Sequence, residues 1–472
     1  MINAVCGSYT WCEFAPEFFL IGLAIVLLMI DCFWARFPKR ALGLVGAIGA
    51  LGTAVALQSH MFGLLAAVAT GLTLLLAYDY SPITVASSGD GRTGEGTGEF
   101  YVLPLLACAG ISALTKAQDL VMLFVTLEIL TLSSYVLAGY YRRNHGSVEA
   151  GVKYLVLGAV STGVLVFGAA WYFGMTGTFV LSAPAIASAL VGGYPAGILL
   201  ALALLLVGAA FKVGIFPMHI WIPDVYQGAP TPTTAFLSVA SKVAGFALLS
   251  AILMPYIMLP APLSGVSVYI LLVLTVLAAA TLLVGNLGAI PQTNMKRLLG
   301  YSSIAQAGFI LPLYLGGNND YIVFYLATYL LATMGAFFAL AQVRLHRGSD
   351  EISAFRALGK TNPLLAFCVT VCFASLAGVP LTAGFLAKWY SFATVVGVSL
   401  RALPSLMYWM LPIMILCASA GFYYYFKVIR AMYWERPLDE DEPVRVPFAT
   451  GLVLGVCAAV LVVGGTVPLF VL

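Results

Sequence analysis

Four lysines stand inside long apolar runs: Lys153, Lys212, Lys242 and Lys388. One acid, Glu128, lies as deep in such a run. A charge at the centre of a bilayer costs about 2.5–3.5 kcal/mol on insertion scales, so five such groups must pair, hydrate or neutralise. Burial disfavours the charged form of an amine, and an opposite charge restores it. An amine whose partner moves is therefore poised to load and release a proton. A charged lysine only donates, but a neutral one also accepts, so hydroxyls and waters can link one amine to the next. Glu128 is the natural counter-charge for one lysine. Lys153 starts only a few residues into its run, so snorkelling or an interfacial ion pair reads as well there as proton transfer. The other three lie a third or more of the way into their runs, too deep for snorkelling.

Two of these runs also carry helix breakers. Around Lys212 the sequence is GAAFKVGIFPMHIWIPDVY, and before Lys388 it is LAGVPLTAGFLAKWY. Proline removes a backbone donor and frees a carbonyl. In lipid, such a break is tolerated only beside protein or a wet cavity. Discontinuous helices in corresponding positions of two halves mark ion sites in inverted-repeat transporters. His219 follows in the PMHIW segment and reads as a packing residue or a proton relay near neutral pH. Asp224 is expected to cap or turn the loop beyond it. Lys296, in TNMKRLLGYSS, reads as an interface anchor or as part of a proton intake route. Lys427, beside FYYYF, reads as an anchor in an aromatic belt.

The elements that hold these residues follow from composition. Of the 472 residues, 62% are hydrophobic and 9% charged, against roughly 25% charged in a soluble domain. A mean hydropathy of +1.01 agrees. The reading is an all-α polytopic membrane protein. The net charge of +3 is spread out, with no basic stripe for nucleic acid. The first residues hold no Lys or Arg, so the first apolar run is expected to be a retained helix rather than a cleaved leader.

A membrane helix needs about 20 mainly apolar residues. The pattern predicts fourteen, near 16–35, 41–58, 61–79, 100–116, 119–141, 150–173, 196–221, 231–254, 266–290, 299–315, 320–343, 362–397, 404–432 and 447–470. A Gly-rich acidic loop is expected at 80–99. The breaks fall in the seventh and twelfth helices. Five helices is an odd number, so two five-helix units, 4–8 and 9–13, would lie inverted relative to each other. The expected organisation is 1–99 for three helices and the loop, 100–254 and 255–432 for the two repeats, and 433–472 for a loop and the last helix.

Loops after odd-numbered helices hold Arg36, Lys39, Arg40, Arg92, Arg142, Arg143, Lys296, Arg297, Arg344, Arg347, Arg356, Lys360, Lys427, Arg430, Arg436 and Arg445. The opposite loops hold Lys116 and Arg401. The positive-inside rule then puts the basic end in the cytoplasm and both termini on the other side. Six of the eight cysteines sit in apolar runs and read as small packing residues. Neither iron–sulfur nor zinc spacing is present. Cys6 and Cys12 precede the first helix and are left open as a pair, should that end face an oxidising compartment.

At this point a resemblance covers residues 100 to 430. FKVGIFPMHIWIPDVYQGAPTPTTAFLSVASKVAGF resembles the signature of the antiporter-like subunits of respiratory complex I, the proton-translocating NADH-quinone oxidoreductase. LEILTLSSYVLAGY, EAGVKYLVLGA, TNMKRLLGYSSIAQAGFI and LAGVPLTAGFLAKWYSF match as well. The SVASKVAG wording and the fourteen-helix length are most similar to the subunit N family. The long lateral helix of sister subunit L is not expected after the fourteenth helix. Sister subunit M has a glutamate where Lys388 stands. The resemblance implies that Glu128 pairs with Lys212, that Lys153 lies near that pair, and that Lys242 and Lys388 are the helix-8 and helix-12 lysines of a relay. It implies proton translocation driven by electron transfer from NADH to quinone in other subunits. No cofactor or metal is expected on this chain; FMN, iron–sulfur clusters and quinone belong elsewhere. The implied neighbours are subunits M and K, in a bacterial inner membrane. Residues 1–99 match poorly, and no role is carried over there.

Three other readings compete. A subunit of a multi-subunit sodium/proton antiporter shares this fold and these lysines. Sodium favours clustered oxygen ligands, and Glu128 is the only deep acid in the pattern. A stand-alone transporter would use Lys212 and Lys388 to bind substrate. A structural scaffold leaves five buried charges without a purpose.

Overall fold

The computed structural model describes residues 11–34, 37–87, 98–193, 195–259, 264–317, 319–401, 404–437 and 444–466. Among them every regular element is helical, and the only β geometry is two isolated bridges, Asp119–Val180 and Asn294–Glu351. The chain runs through α1 (Ala15–Phe33), α2 (Lys39–Ala56), α3 (Met61–Ser87), α4 (Gly98–Leu114), α5 (Leu120–Ala138) and α6 (His145–Thr176). Then α7 comes in two pieces, α7a (Pro195–Val213) and α7b (Trp221–Gly228). It is followed by α8 (Thr231–Ile257), α9 (Ser264–Ala289), α10 (Met295–Ile310) and α11 (Asn319–Arg347). The twelfth is again split, into α12a (Pro363–Ala377) and α12b (Ala383–Arg401), before α13 (Ser405–Trp434) and α14 (Phe448–Thr466).

Thirteen helices are long and apolar enough to cross a membrane, and α4 and α12a are shorter apolar helices. Each of the fourteen apolar runs therefore meets a helix, and the two runs with Gly and Pro breakers are the two that split. The chain is a multi-pass integral membrane protein. One boundary moves: α3 continues to Ser87, because the apolar residues after Pro82 carry the helix on. The rest of the acidic loop, 88–97, lies outside the described residues, as do Cys6 and the Cys12 side chain.

Short polar side chains start several helices. Asp119 accepts from Met122 N at 2.8 Å, Asn144 from Gly146 N at 2.9 Å, Asn294 from Arg297 N at 3.2 Å and Asn362 from Leu365 N at 3.1 Å. Serines and threonines inside the apolar runs bond back to their own helix, as Thr131 does to Leu127 O at 2.6 Å. α8 is buried almost throughout and packs on α3, α7a and α11; α10 packs on α9 and α7b. Outer helices turn large apolar side chains such as Phe19, Val160 and Leu416 outward, as lipid or a partner chain requires.

One acid escapes the sequence pattern. Glu17, near the start of α1, is buried, and its carboxylate pairs with Lys116 at 2.7 Å and accepts from Ser112. Glu17 is thus more deeply buried than Glu128, which is half-buried. Lys116, expected in a loop, ties α1 to the end of α4.

The break of the twelfth helix depends on close packing. Gly378 has φ 85° and Leu381 φ 74°, both in the left-handed region. Gly384 packs so tightly that a Cβ would overlap Ser375 O. Gly384→Ala must push α12b away from α12a. The expected cost is about 1–3 kcal/mol, typical of overpacking, read as a lower thermal midpoint of the purified assembly.

Candidate functional site

The three deep lysines each end on neutral acceptors. Lys212 sits in the last turn of α7a and is buried. Its amine donates to the Tyr154 hydroxyl at 3.2 Å and lies over the Tyr154 and Tyr135 rings at 5.3 and 5.9 Å. Glu128 is two turns from Tyr135 on α5, hence on the same face. Its charge reaches Lys212 through space, yet no contact of 4 Å or less joins them, and its Oε1 is buried without a partner. The expected pair is brought together but stands open, with tyrosines filling the contact.

Just beyond Lys212 the helix stops at Gly214, φ 83°. Several of the freed backbone groups find partners. Gly214 N and Ile215 N both donate to Ala210 O, at 2.8 and 2.9 Å. Phe216 N donates to Thr281 Oγ1 at 3.0 Å, and Trp221 Nε1 closes Phe211 O at 2.9 Å. His219 is buried in this turn beside Phe216, with Nδ1 unpartnered, and it makes no hydrogen bond to any of the lysines.

Lys242 lies mid-way along α8, and its amine donates to both the carbonyl and the hydroxyl of Ser303 on α10, beneath the Tyr329 ring at 5.5 Å. Ser303 Oγ also lies 3.4 Å from the Tyr226 hydroxyl of α7b. Trp221 stacks on Tyr154 with ring centroids 4.5 Å apart and meets Tyr226 edge-on at 6.2 Å. A continuous aromatic and hydroxyl wall thus joins Lys212 to Lys242.

Lys388 is on the far side of its break. Its amine reaches back to Ala377 O, the last carbonyl of α12a, at 2.7 Å, and lies over the Phe309 ring at 5.0 Å. Lys212 and Lys388 both end at the C-terminus of a half-helix, the end whose dipole favours a cation. Between Lys242 and Lys388 stands Gln306. Its Oε1 accepts from Tyr325, and its Nε2 donates to Leu376 O at 3.0 Å and to the Tyr425 hydroxyl at 3.2 Å. Ser302 and Tyr425 join hydroxyl to hydroxyl. A cavity of about 10 Å³ touches Gln306, Tyr325, Tyr329 and Ser375, close to the least volume that holds one water. Sequence reading missed Tyr154, Ser303, Gln306 and Tyr325. The signal was present in SSIAQ, a polar cluster at helical spacing within a buried helix.

Lys153 and Lys296 belong to a different site. Lys153 is half-exposed and pairs with Glu149 at 2.6 Å and Asp224 at 2.8 Å. Asp224 also accepts from Arg297 at 2.7 Å. Lys153 is therefore an ion-paired residue at the basic end, not a member of the deep set. Asp224 does not cap a loop; it bridges α6, α7b and α10. Partial burial pushes its carboxyl up, but the hydrogen bonds and charges of Lys153 and Arg297 outweigh that and hold it below the usual carboxylate range. Lys296 is buried, donating to Ala229 O at 3.1 Å and facing Asp350 at 3.3 Å. Both clusters line one polar, half-open cavity of about 460 Å³.

Residues 117–414 match the family described as NADH:quinone oxidoreductase/Mrp antiporter, TM. The chain is 36% identical over 493 residues to NADH-quinone oxidoreductase subunit N of Geobacillus sp. (strain WCH70), covering 98% of this chain and 97% of that one. The chain belongs to this family. A chain of respiratory complex I from Thermus thermophilus, solved with bound aureothin, superposes with a TM-score of 0.78 at 30% identity, over 96% of this chain and 97% of that one. A chain of the Mrp complex from Dietzia sp. DQ12-45-1b gives 0.75 at 19% identity, over 97% and 95%, which speaks to the fold alone. The family match spans every deep lysine.

Two outcomes test this geometry. Gln306→Leu strips partners from Tyr325 and Leu376 O, while Tyr425 keeps Ser302, at about 1–3 kcal/mol for each group left buried and unpaired, and is expected to lower the melting midpoint. Asp224 has a depressed pKa, so its bridge is present above the unfolded value and is lost as pH falls through the folded one. Hydrogen exchange in residues 221–228 is expected to rise on acidification relative to Asp224→Asn, in which the bridge no longer titrates.

Proposed function

We propose that this chain carries protons across the membrane arm of an NADH-quinone oxidoreductase, using Lys212, Lys242 and Lys388 as the carrying amines and Glu128 as the counter-charge that sets the first of them. The observation that carries this reading is the choice of partners. Each deep amine is buried yet bound to hydroxyls or carbonyls rather than to a carboxylate, so its proton is not locked in an ion pair. Gln306, Ser303 and Tyr226 are the linking groups. Lys153 and Lys296 act at the basic end, where protons enter; His219 adjusts the seventh-helix break.

Electron transfer from NADH to quinone takes place in other subunits of the complex, which hold FMN, iron–sulfur clusters and quinone. Among the described residues no group of three His, Cys, Asp or Glu is placed to hold a metal ion. Subunits M and K are the neighbours we assign. The membrane is the bacterial inner membrane, with the basic end in the cytoplasm and both termini opposite. Residues 100–254 and 255–432 form the two inverted repeats, a reading supported by a split helix and a lysine at a half-helix C-terminus in each.

The test uses the assembled complex in sealed vesicles. A tagged chain should bring NADH-oxidising subunits with it. Lys242→Ala and Lys388→Ala should assemble and lower proton transport by about tenfold or more, the scale of losing a proton-transfer group. Wild-type transport in an assembled Lys242→Ala complex rules the relay out.

A further inference from the structure

The basic end holds an acid that the relay above does not use. Asp350 follows α11, and its backbone is pinned to the start of α10: Met295 N donates to Asp350 O, and Ile352 N to Thr293 O, both at 2.8 Å. Its side chain is nine-tenths buried and lines the 460 Å³ cavity. Lys296 and Arg344 both pair with Oδ2, while Oδ1 is buried with no partner. The other acids on this cavity differ. Asp224 is held between Lys153 and Arg297, and Glu149 is exposed and paired with Lys153.

The far side of the same elements meets Lys242. Lys296 and Ser303 are seven residues apart on α10, so they share a face about 10.5 Å apart along the axis. α7b lies over that stretch, since Pro223 Cα and Tyr226 Cδ2 each stand 3.5 Å from a Cβ placed on Gly300. It presents Asp224 to the cavity and Tyr226 to Ser303. Lys296 donates to Ala229 O, one residue past α7b. The Lys296–Asp350 contact therefore lies on the wall of the cavity, on the same helix, α10, that carries Ser303.

We propose that Asp350 is the proton-loading carboxylate of this cavity and that its ion pair with Lys296 is the latch between the cavity and Lys242; this rests on the proton-relay reading. A hydronium ion in the cavity gives its proton to Oδ1 and leaves as water. The neutral acid no longer balances Lys296, which stays beside the Arg344 charge. Lys296 then gives up a proton along the Tyr226–Ser303 side, and the neutral Lys242 amine takes it. Neutral Lys296 recovers a proton from Asp350, and the ion pair re-forms. One proton has passed from the cavity to Lys242, and no other group has changed. Two positioning residues assist: Arg344 keeps Asp350 in place while Lys296 is released, and Ala229 O holds the Lys296 amine.

The experiment compares Asp350→Asn, Asp350→Glu and Lys242→Ala in the assembled complex reconstituted in vesicles, reading NADH-driven proton transport. Asn still accepts hydrogen bonds from Lys296 and Arg344 but cannot take the proton, so transport should fall about tenfold or more. Glu, which can, should keep most of it. Infrared difference spectra during turnover should show a protonated-carboxyl band that moves in Asp350→Glu. Wild-type transport in Asp350→Asn, equal loss in Asn and Glu, or a band unmoved by the Glu exchange overturns the assignment. If Asp350→Asn does not assemble, the Glu band shift decides alone. Lys242→Ala separates the two readings. Normal transport there removes the relay itself. Lost transport there with normal transport in Asp350→Asn removes only the loading site.

Discussion

A lysine in hydrocarbon must find its hydrogen-bond partners inside the protein, because lipid supplies none. This requirement accounts for the break beside Lys388 and sets where Lys212 and Lys242 find their partners. A whole helix uses its carbonyls internally; a half-helix leaves its last ones free. Ala377 O is such a carbonyl, and Lys388 takes it. Lys212 stands in the last turn before Gly214, where the half-helix dipole favours its charge. Lys242 lies on continuous α8 and has to borrow from a neighbour, which is why Ser303 on α10 offers it both carbonyl and hydroxyl. The Gly and Pro residues that split the helices are thus part of the solvation of the amines.

The Glu128–Lys212 pair shows how the arrangement stores a response. The two side chains are not in contact; the Lys212 amine meets Tyr154 and Tyr135 instead, and Glu128 keeps one oxygen unpartnered. An ion pair closed at hydrogen-bond distance would fix both charges. An open one leaves the Lys212 proton sensitive to a small movement of α5 against α7a, since Coulomb energy in a poorly screened interior changes steeply with distance. The stack of Tyr154 on Trp221 carries such a movement to α7b, whose Tyr226 touches Ser303.

The deep lysines and the broken helices were legible because a charge or a proline in an apolar run is conspicuous whatever the fold. The partners were not. Glu17 lies at the start of the first predicted helix, where nothing in the sequence marked it as buried, yet the approach of α4 buries it against Lys116. For Lys153 the sequence left an interfacial ion pair and a relay role open, and only its three-dimensional neighbour, Asp224, decides for the ion pair at the basic end. Gln306 and Ser303 stand in a polar cluster, SSIAQ, that the sequence does display, but its meaning depends on α10 being buried almost throughout. Position along a helix is local information; what a side chain faces depends on a second helix, and the pattern of one chain segment does not hold that.

Partner chemistry separates the lysines more sharply than depth does. Lys116 and Lys153 bind carboxylates, and Lys296 shares one with Arg344. Such a pair favours the charged amine for as long as the carboxylate stays charged. Lys212 and Lys242 bind hydroxyls, which turn round to donate once the amine is neutral, so both protonation states are hydrogen-bonded. Ala377 O only accepts. Lys388 therefore has a partner that rewards holding a proton and gives nothing to a bare lone pair, whereas Lys212 and Lys242 have partners that serve either state.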